Sequence, residues 1–324
     1  MHVTSFTRRF SIAALAITGT LALPAPGASA APAVAAAPGA SAAPAARNAP
    51  YLGRWNYDQP DRDSGRNIAL LRCPADTPDC TAPGPNGGPL EVPQIGDIVY
   101  SVGPDGGVVA RTDVGCTWRF AERDGSLVLS PERQYCFNQV NGVGYTITHW
   151  TTTTRGHRQR EVITALSHRP GGDYEFVLRN GTRTRAPKPG AGGAVRRFAG
   201  SWAYTPANRA TQVNMAMVFR PGAERPEFVP QTGRIEFSRA RDGKVIARTD
   251  DGCRWTLVVR GNTAALATPG QTCELPGATV RLSHWTIAGD GVRQASRVRG
   301  AREDAGGTAD FVLTIGDLRR AGRA

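Results

Sequence analysis

Ala110-Arg111-Thr112-Asp113-Val114-Gly115-Cys116-Thr117-Trp118 returns 137 residues later as Ala247-Arg248-Thr249-Asp250-Asp251-Gly252-Cys253-Arg254-Trp255. Self-similarity at a fixed offset is the signature of a duplicated unit, and it extends outward from this stretch. The same offset carries Asp105-Gly106 onto Asp242-Gly243 and Cys136 onto Cys273. An offset of 135 carries His149-Trp150-Thr151 onto His284-Trp285-Thr286 and Phe176-Val177-Leu178 onto Phe311-Val312-Leu313. At 147, Gly53-Arg54-Trp55 matches Gly200-Ser201-Trp202. The reading is two copies, 51–184 and 198–320, joined by a Pro/Gly-rich linker, 185–197, expected to be exposed and flexible.

The copies differ in one place. Trp55 lies 41 residues before Gly96, whereas Trp202 lies 31 before Gly233. The first copy is therefore ten residues longer here, in the segment that holds Cys73 to Cys80 and the Gly/Pro-rich run after it. The repeat narrows the possible pairings of the six cysteines. Cys116–Cys136 and Cys253–Cys273 are expected as equivalent bridges, each worth about 3 kcal/mol by loop closure. Cys73–Cys80 would close the inserted loop. No Cys-x-x-Cys or His-rich spacing suggests a metal site.

Within each copy, short runs of alternating apolar residues are separated by turn signals. In the second copy, Ile235 and Phe237 alternate with polar residues, and Arg241-Asp242-Gly243-Lys244 reads as a hairpin turn. Asp-Gly is suited to that turn because both positions tolerate positive φ. Cys253, Trp255, Leu257 and Val259 then share one face of the next strand. About eight short strands per copy and no convincing helix predict an all-β chain. A meander must hide its edges, so the expected fold is two tandem antiparallel meander β-barrels. Two β-sandwiches are the alternative.

Arg8 and Arg9, the apolar run Ser11 to Leu23 and the small-residue exit Ala28-Ser29-Ala30 read as a secretory signal peptide, residues 1–30. Ordinary export is preferred over the twin-arginine route because Ser11 stands where that signal wants an apolar residue. Residues 31–50, Ala/Pro-rich, read as a spacer. The expectation is a secreted, monomeric protein with no membrane span. Net charge is +12, and the only lysines are Lys188 and Lys244. An arginine excess suits anionic partners, since guanidinium pairs bidentately with carboxylate and phosphate, but it equally serves as a solvated surface.

Gly53-x-Trp55 and Gly200-x-Trp202, each opening an antiparallel meander, resemble the first strand of lipocalin- and avidin-type barrels. The resemblance implies that these tryptophans plug one barrel end and that the other end takes a small ligand. The lipocalin Thr-Asp-Tyr and the avidin ligand-contact pattern are absent. Gly-Cys-x-Trp with Pro269-Gly270-Gln271-Thr272-Cys273 also resembles tandem secreted bacterial β-domains known only as uncharacterised, a resemblance that implies no activity.

The polar residues kept by both copies are the candidates for function. Asp113 and Asp250, each followed by x-Gly, read as turn residues. Arg111 and Arg248 sit opposite the apolar parity, on a solvated face, with an anion clamp as the other reading. His149-Trp150 and His284-Trp285 are the strongest ligand-binding candidates, because one member of each pair must face a barrel interior. The plain alternative is a core tryptophan beside a satisfied histidine. No nucleophile elbow, zinc-protease motif or phosphate loop occurs, so no catalytic residue, cofactor or metal is assigned, and a non-enzymatic role is favoured. Three roles fit: a binding protein for an unknown small ligand, a secreted interaction or inhibitor module presenting the 73–80 loop, and a binder of anionic cell-wall polymer. Nucleic acid is not expected as a partner.

Overall fold

The computed structural model describes residues 50–169 and 171–322. The expected signal peptide, 1–30, and all of the spacer but Pro50 lie outside the described residues. The first copy contributes eleven strands: β1 Gly53–Tyr57, β2 Ile68–Arg72, β3 Leu90–Pro93, β4 Asp97–Val102, β5 Val108–Thr112, β6 Thr117–Arg123, β7 Ser126–Leu129, β8 Gln134–Asn138, β9 Val143–Arg155, β10 Arg158–Arg169 and β11 Gly172–Arg185. The second repeats them: β12 Gly200–Tyr204, β13 Met215–Phe219, β14 Glu227–Pro230, β15 Arg234–Arg239, β16 Lys244–Thr249, β17 Arg254–Arg260, β18 Thr263–Leu266, β19 Gln271–Leu275, β20 Ala278–Gly289, β21 Arg293–Asp304 and β22 Gly307–Arg320.

Both copies are closed eight-stranded antiparallel barrels. In the first, the order β1-β4-β5-β6-β7-β9-β10-β11 returns to β1, which hydrogen-bonds to both β4 and β11. The second closes in the same way through β12, β15 and β22. A closed ring has no free edge, and a sandwich is thereby excluded. The expected strand at Asn67 to Leu71 is β2; the count exceeds expectation through β3, which joins β2 in a flap on β11, and β8, which pairs outside the ring with β9. β3 and β8 are only four and five residues long, too brief for a period-two pattern to stand out. Alternation does hold where it builds the core: in β6, Trp118 and Phe120 are buried while Thr117 and Arg119 are exposed. The Asp242-Gly243 turn has positive φ at both residues, 57° and 70°.

Cys73–Cys80, Cys116–Cys136 and Cys253–Cys273 are the three disulfides. The inserted loop lies outside the ring: Ala75 to Asp79 are exposed between β2 and β3, and barrel closure does not pass through them.

The connection between barrels departs from the expected flexible linker. Gly190 N–H donates to Val259 O at 2.9 Å. A Cβ on Gly190 would lie 2.6 Å from Gly243 Cα, so only glycine allows this approach. The chain then forms one helical turn, α1 Val195–Phe198, and buries Phe198 completely. The barrels also exchange bonds directly: Asn56 Nδ2 donates to Arg260 O at 2.6 Å, and Asn262 Nδ2 to Tyr57 O at 2.7 Å. Ile95 packs with Ala288 and Ala295.

One irregularity shapes the contact. β22 carries a bulge: Ser296 pairs with Gly316 but Val298 with Leu313, so Thr314 and Ile315 stand opposite a single residue, Arg297. Ile315 is 2% exposed because it enters the core of the first barrel. The equivalent bulge in β11 holds Arg179 and Asn180, both exposed.

Candidate functional site

The first strand of each barrel carries a fully buried tryptophan. Trp55 is fully buried, and its Nε1 donates to Tyr51 O at 2.7 Å; Trp202 Nε1 donates to Phe198 O at the same distance. The last strand lays an arginine over each indole. Arg185 Cζ is 4.4 Å from the Trp55 ring, and Arg320 Cζ is 4.7 Å from Trp202. Their guanidinium groups donate to nearby carbonyls, Leu52 O for Arg185 and Ala199 O for Arg320.

The first barrel also contains a charged floor. Arg183 Nε lies 3.1 Å from Glu161 Oε2, with side-chain exposures of 2% and 0%. The Arg183 guanidinium stacks on Tyr57 at 3.4 Å. Trp150 Nε1 donates to Glu161 Oε2 at 3.3 Å. Burial opposes the charge on Arg183, but Glu161 and the phenols of Tyr57 and Tyr100 outweigh it and hold the guanidinium protonated above its ordinary value. Burial pushes both phenols up, so they remain neutral donors. Glu161 Oε1 and Arg183 Nη1 have no hydrogen-bond partner among the described residues, whereas the Tyr100 and Thr152 hydroxyls lie beside each other.

Of this cluster Tyr57, Trp150 and Arg183 line a cavity of about 110 Å³, whose other aromatic walls are Trp118, Tyr145 and Phe176. Trp118 and Trp150 meet edge to face at 6.2 Å. At its rim stand Asp97 and Asp113 from the first barrel and Arg297 and Thr314 from the second. One rim charge is paired, while Arg297 Nε has no hydrogen-bond partner among the described residues. Arg54 Nη1 is 2.6 Å from Asp97 Oδ1. Asp113 accepts from Thr286 Oγ1 at 3.1 Å and faces Arg297. Burial, and for Asp97 also the neighbouring Asp113, pushes both carboxyls upward.

The second barrel keeps Tyr204, Trp255, Trp285 and Phe311 but has Val280 in place of Tyr145 and lacks the charged floor. Strand registers equate Arg183 with Leu318, Glu161 with Ser296, Tyr100 with Phe237 and Thr152 with Ile287. Its cavity, about 140 Å³, is lined chiefly by Trp255, Trp285, Phe311 and aliphatic side chains. Trp285 Nε1, lacking the carboxylate that serves Trp150, has no partner among the described residues.

The sequence candidates are thus separated. Trp150 and Trp285 face the interiors, each 3% exposed. His149 is on the outside, bonded to Thr151 Oγ1 at 3.1 Å. His284 sits between the barrels, its Nε2 3.8 Å from Asp113 Oδ2. Burial, followed by Arg297, pushes its imidazole down to about 3, so it is neutral and makes no ion pair at pH 7. Arg111 and Arg248 are exposed on the outer walls, away from either cavity. Asp113, read as a turn residue, also bonds across to the second barrel. Glu161, Arg183, Tyr57, Tyr100 and Thr152 belong to no pattern singled out in the sequence. Glu161 does carry a usable signal, a carboxylate on the parity of Ile163 and Ala165.

No protein-family model and no curated protein matches the chain. Among solved structures it is similar to a protein of unknown function from the DUF3598 family of Nostoc punctiforme PCC 73102, at 9% identity over 83% of this chain and 96% of that one, TM-score 0.23. It is also similar to a Bacteroides fragilis NCTC 9343 protein described as a "putative outer membrane protein", at 6% identity over 85% of this chain and 99% of that one, TM-score 0.24. At these TM-scores neither likeness bears on function. The lipocalin- and avidin-type resemblance reaches as far as a closed barrel and no further.

Proposed function

We propose that this chain is an exported, non-enzymatic binding protein whose first barrel holds a small molecule, while the second closes over the rim and supports it. The observation that carries this reading is the Glu161–Arg183 floor. Withdrawing an ion pair from water costs more than the pair returns unless its remaining valences are met. Here one carboxylate oxygen and one guanidinium nitrogen are left over, and of the pair it is Arg183 that lines the cavity. The duplicate holds Ser296 and Leu318 in those places, so barrel closure does not require the pair. A small, largely apolar cavity with a few convergent polar groups is what a ligand site looks like. Three disulfides are compatible with an extracellular or envelope location. No helix among the described residues is long and apolar enough to cross a membrane.

The test is a fragment screen read by thermal denaturation and tryptophan fluorescence, since Trp118 and Trp150 line the cavity. Ligands that bind the folded state raise its Tm. Hits should lose their effect in the Glu161→Ser/Arg183→Leu double variant, which copies the second barrel. A screen without hits, or hits indifferent to that variant, would reject the reading.

A second reading, attachment to anionic polymer, has one observation in its favour. Arg248 and Arg254 oppose each other directly on β16 and β17, both exposed. Like charges in that position are unfavourable unless an anion bridges them. Such binding should fall steeply with salt; salt-insensitive binding would dismiss it.

A further inference from the structure

The wall of the first-barrel cavity carries more positive charge than negative. Three arginines line it, Arg169, Arg183 and Arg297, against two carboxylates, Asp97 and Asp113. From outside the lining, Arg54 pairs with Asp97 and Glu161 with Arg183, so one positive charge stays in excess. Arg169 Nε donates to the Ser167 hydroxyl at 3.2 Å, a neutral partner.

Two of these guanidinium groups are buried with donors unspent. Arg183 is 2% exposed and Arg297 7%, and neither Arg183 Nη1 nor Arg297 Nε has a hydrogen-bond partner among the described residues. Arginine offers donors only, and a buried cation short of hydrogen bonds is costly. Asp113 does not use these donors, since its hydrogen bond comes from Thr286. Both arginines act on its carboxylate, Arg297 more strongly, so their fields overlap inside the cavity. The duplicate supplies a contrast. Strand registers equate Arg297 with Val162, which is exposed on the first barrel. The second cavity has no arginine in its wall, and its one charged lining residue is Asp251.

Size and wall chemistry define the rest of the occupant. The volume, about 110 Å³, is of the order of the roughly 150 Å³ cavity that accepts benzene. Trp118 meets Trp150 at 64°, and Tyr145 meets Phe176 at 79°. Such edge-to-face packing extends onto another aromatic ring. A carboxylate accepts the guanidinium donors in charge-assisted bonds. A second negative charge would exceed the single positive excess and face Asp97 and Asp113.

We infer that the first barrel binds a single-ring aromatic monocarboxylate, of the benzoate type, whose carboxylate is taken by Arg183 of the first barrel and Arg297 of the second. This rests on the small-molecule reading above and narrows it.

The experiment is isothermal titration of the intact, disulfide-bonded protein at pH 7 with benzoate, benzamide, toluene, benzylamine, phthalate and inorganic phosphate. Benzoate should bind at one site per chain, at least about tenfold more tightly than any of the others, because charge-assisted hydrogen bonds are about twice as strong as neutral ones. Arg297→Met should weaken benzoate binding at least about tenfold, with near-UV circular dichroism checking the fold. If that variant does not fold, Arg169→Gln removes the excess charge from a half-buried position and should narrow the lead of benzoate over benzamide by about threefold or more. Benzamide or toluene binding as well as benzoate, tighter benzylamine, phthalate or phosphate binding, two sites per chain, a variant indifferent to its substitution, or no binding by any of the six would overturn the assignment. In each case a hit from the wider fragment screen that responds to Glu161→Ser/Arg183→Leu would still leave the broader reading standing.

Discussion

Arg183 and Glu161 form an ion pair at 3.1 Å inside the first barrel, and the same two positions of the duplicate are Leu318 and Ser296. One chain thus contains both a charged and an uncharged solution to the same interior. The comparison is internal, so fold and topology are held constant. Both interiors keep buried polar atoms without a partner, Ser296 Oγ and Trp285 Nε1 in the second barrel, but only the first has them on a buried ion pair.

Removing one member of the pair strands the other. Glu161→Ser and Arg183→Leu should each destabilise the protein by about 3–5 kcal/mol. Glu161→Ser/Arg183→Leu should cost far less than the two singles combined, because no charge is left unpaired. Urea denaturation of the three variants forms a double-mutant cycle. Additive losses would show that the pair does not act as a unit.

Features that recur or are local are legible in the sequence. The cysteine pairing, the Asp-Gly hairpin and the inward tryptophans all follow from the repeat and from period-two alternation. Arg183 is hidden by backbone irregularity. Phe176 and Leu178 face inward, and strict alternation would then send Arg183 outward. The bulge at Arg179 and Asn180 reverses the parity. His284 and Asp113 acquire their roles only when the second barrel meets the first, a relation between residues 171 positions apart that no local pattern encodes. The two histidines, His149 and His284, occupy equivalent strand positions, yet one is wet and the other enclosed.

The arginine over each first-strand tryptophan should matter through its fork of donors. Arg320 bonds to Ala199 O, Arg197 O and Gly291 O while covering Trp202. Because Arg320 is exposed, Arg320→Ala should cost only about 1–2 kcal/mol. Lysine keeps the charge but not the planar fork, so Arg320→Lys should recover less than half. Full recovery by lysine, measured as urea midpoints, would show that charge alone suffices.

Ile315 belongs to β22 of the second barrel but is buried in the core of the first. Ile315→Ala should cost about 2–5 kcal/mol. Its effect should surface away from the mutation, as faster hydrogen exchange in β9–β11 of the first barrel. Exchange confined to β22 would mean that Ile315 does not support the neighbouring barrel.

Stability should also depend on pH through the rim. His284 is held down to about 3, chiefly by burial and then by Arg297. Between its ordinary value of 6.5 and that depressed value, the unfolded chain binds a proton that the folded protein refuses. Stability is therefore lost as pH falls below about 6.5, with a limiting slope of about 1.4 kcal/mol per pH unit from this group. Asp97 and Asp113 act in the opposite sense. Burial raises their carboxyls above 3.8, so the folded state keeps protons longer, and their contribution grows as pH falls through the raised value. Urea midpoints at about pH 7, 6 and 5 separate the two. His284→Gln should flatten the decline across that range, whereas Asp113→Asn, by removing an opposing group and the carboxylate beside the imidazole, should steepen it. Parallel profiles for all three proteins would show that the rim does not titrate with folding.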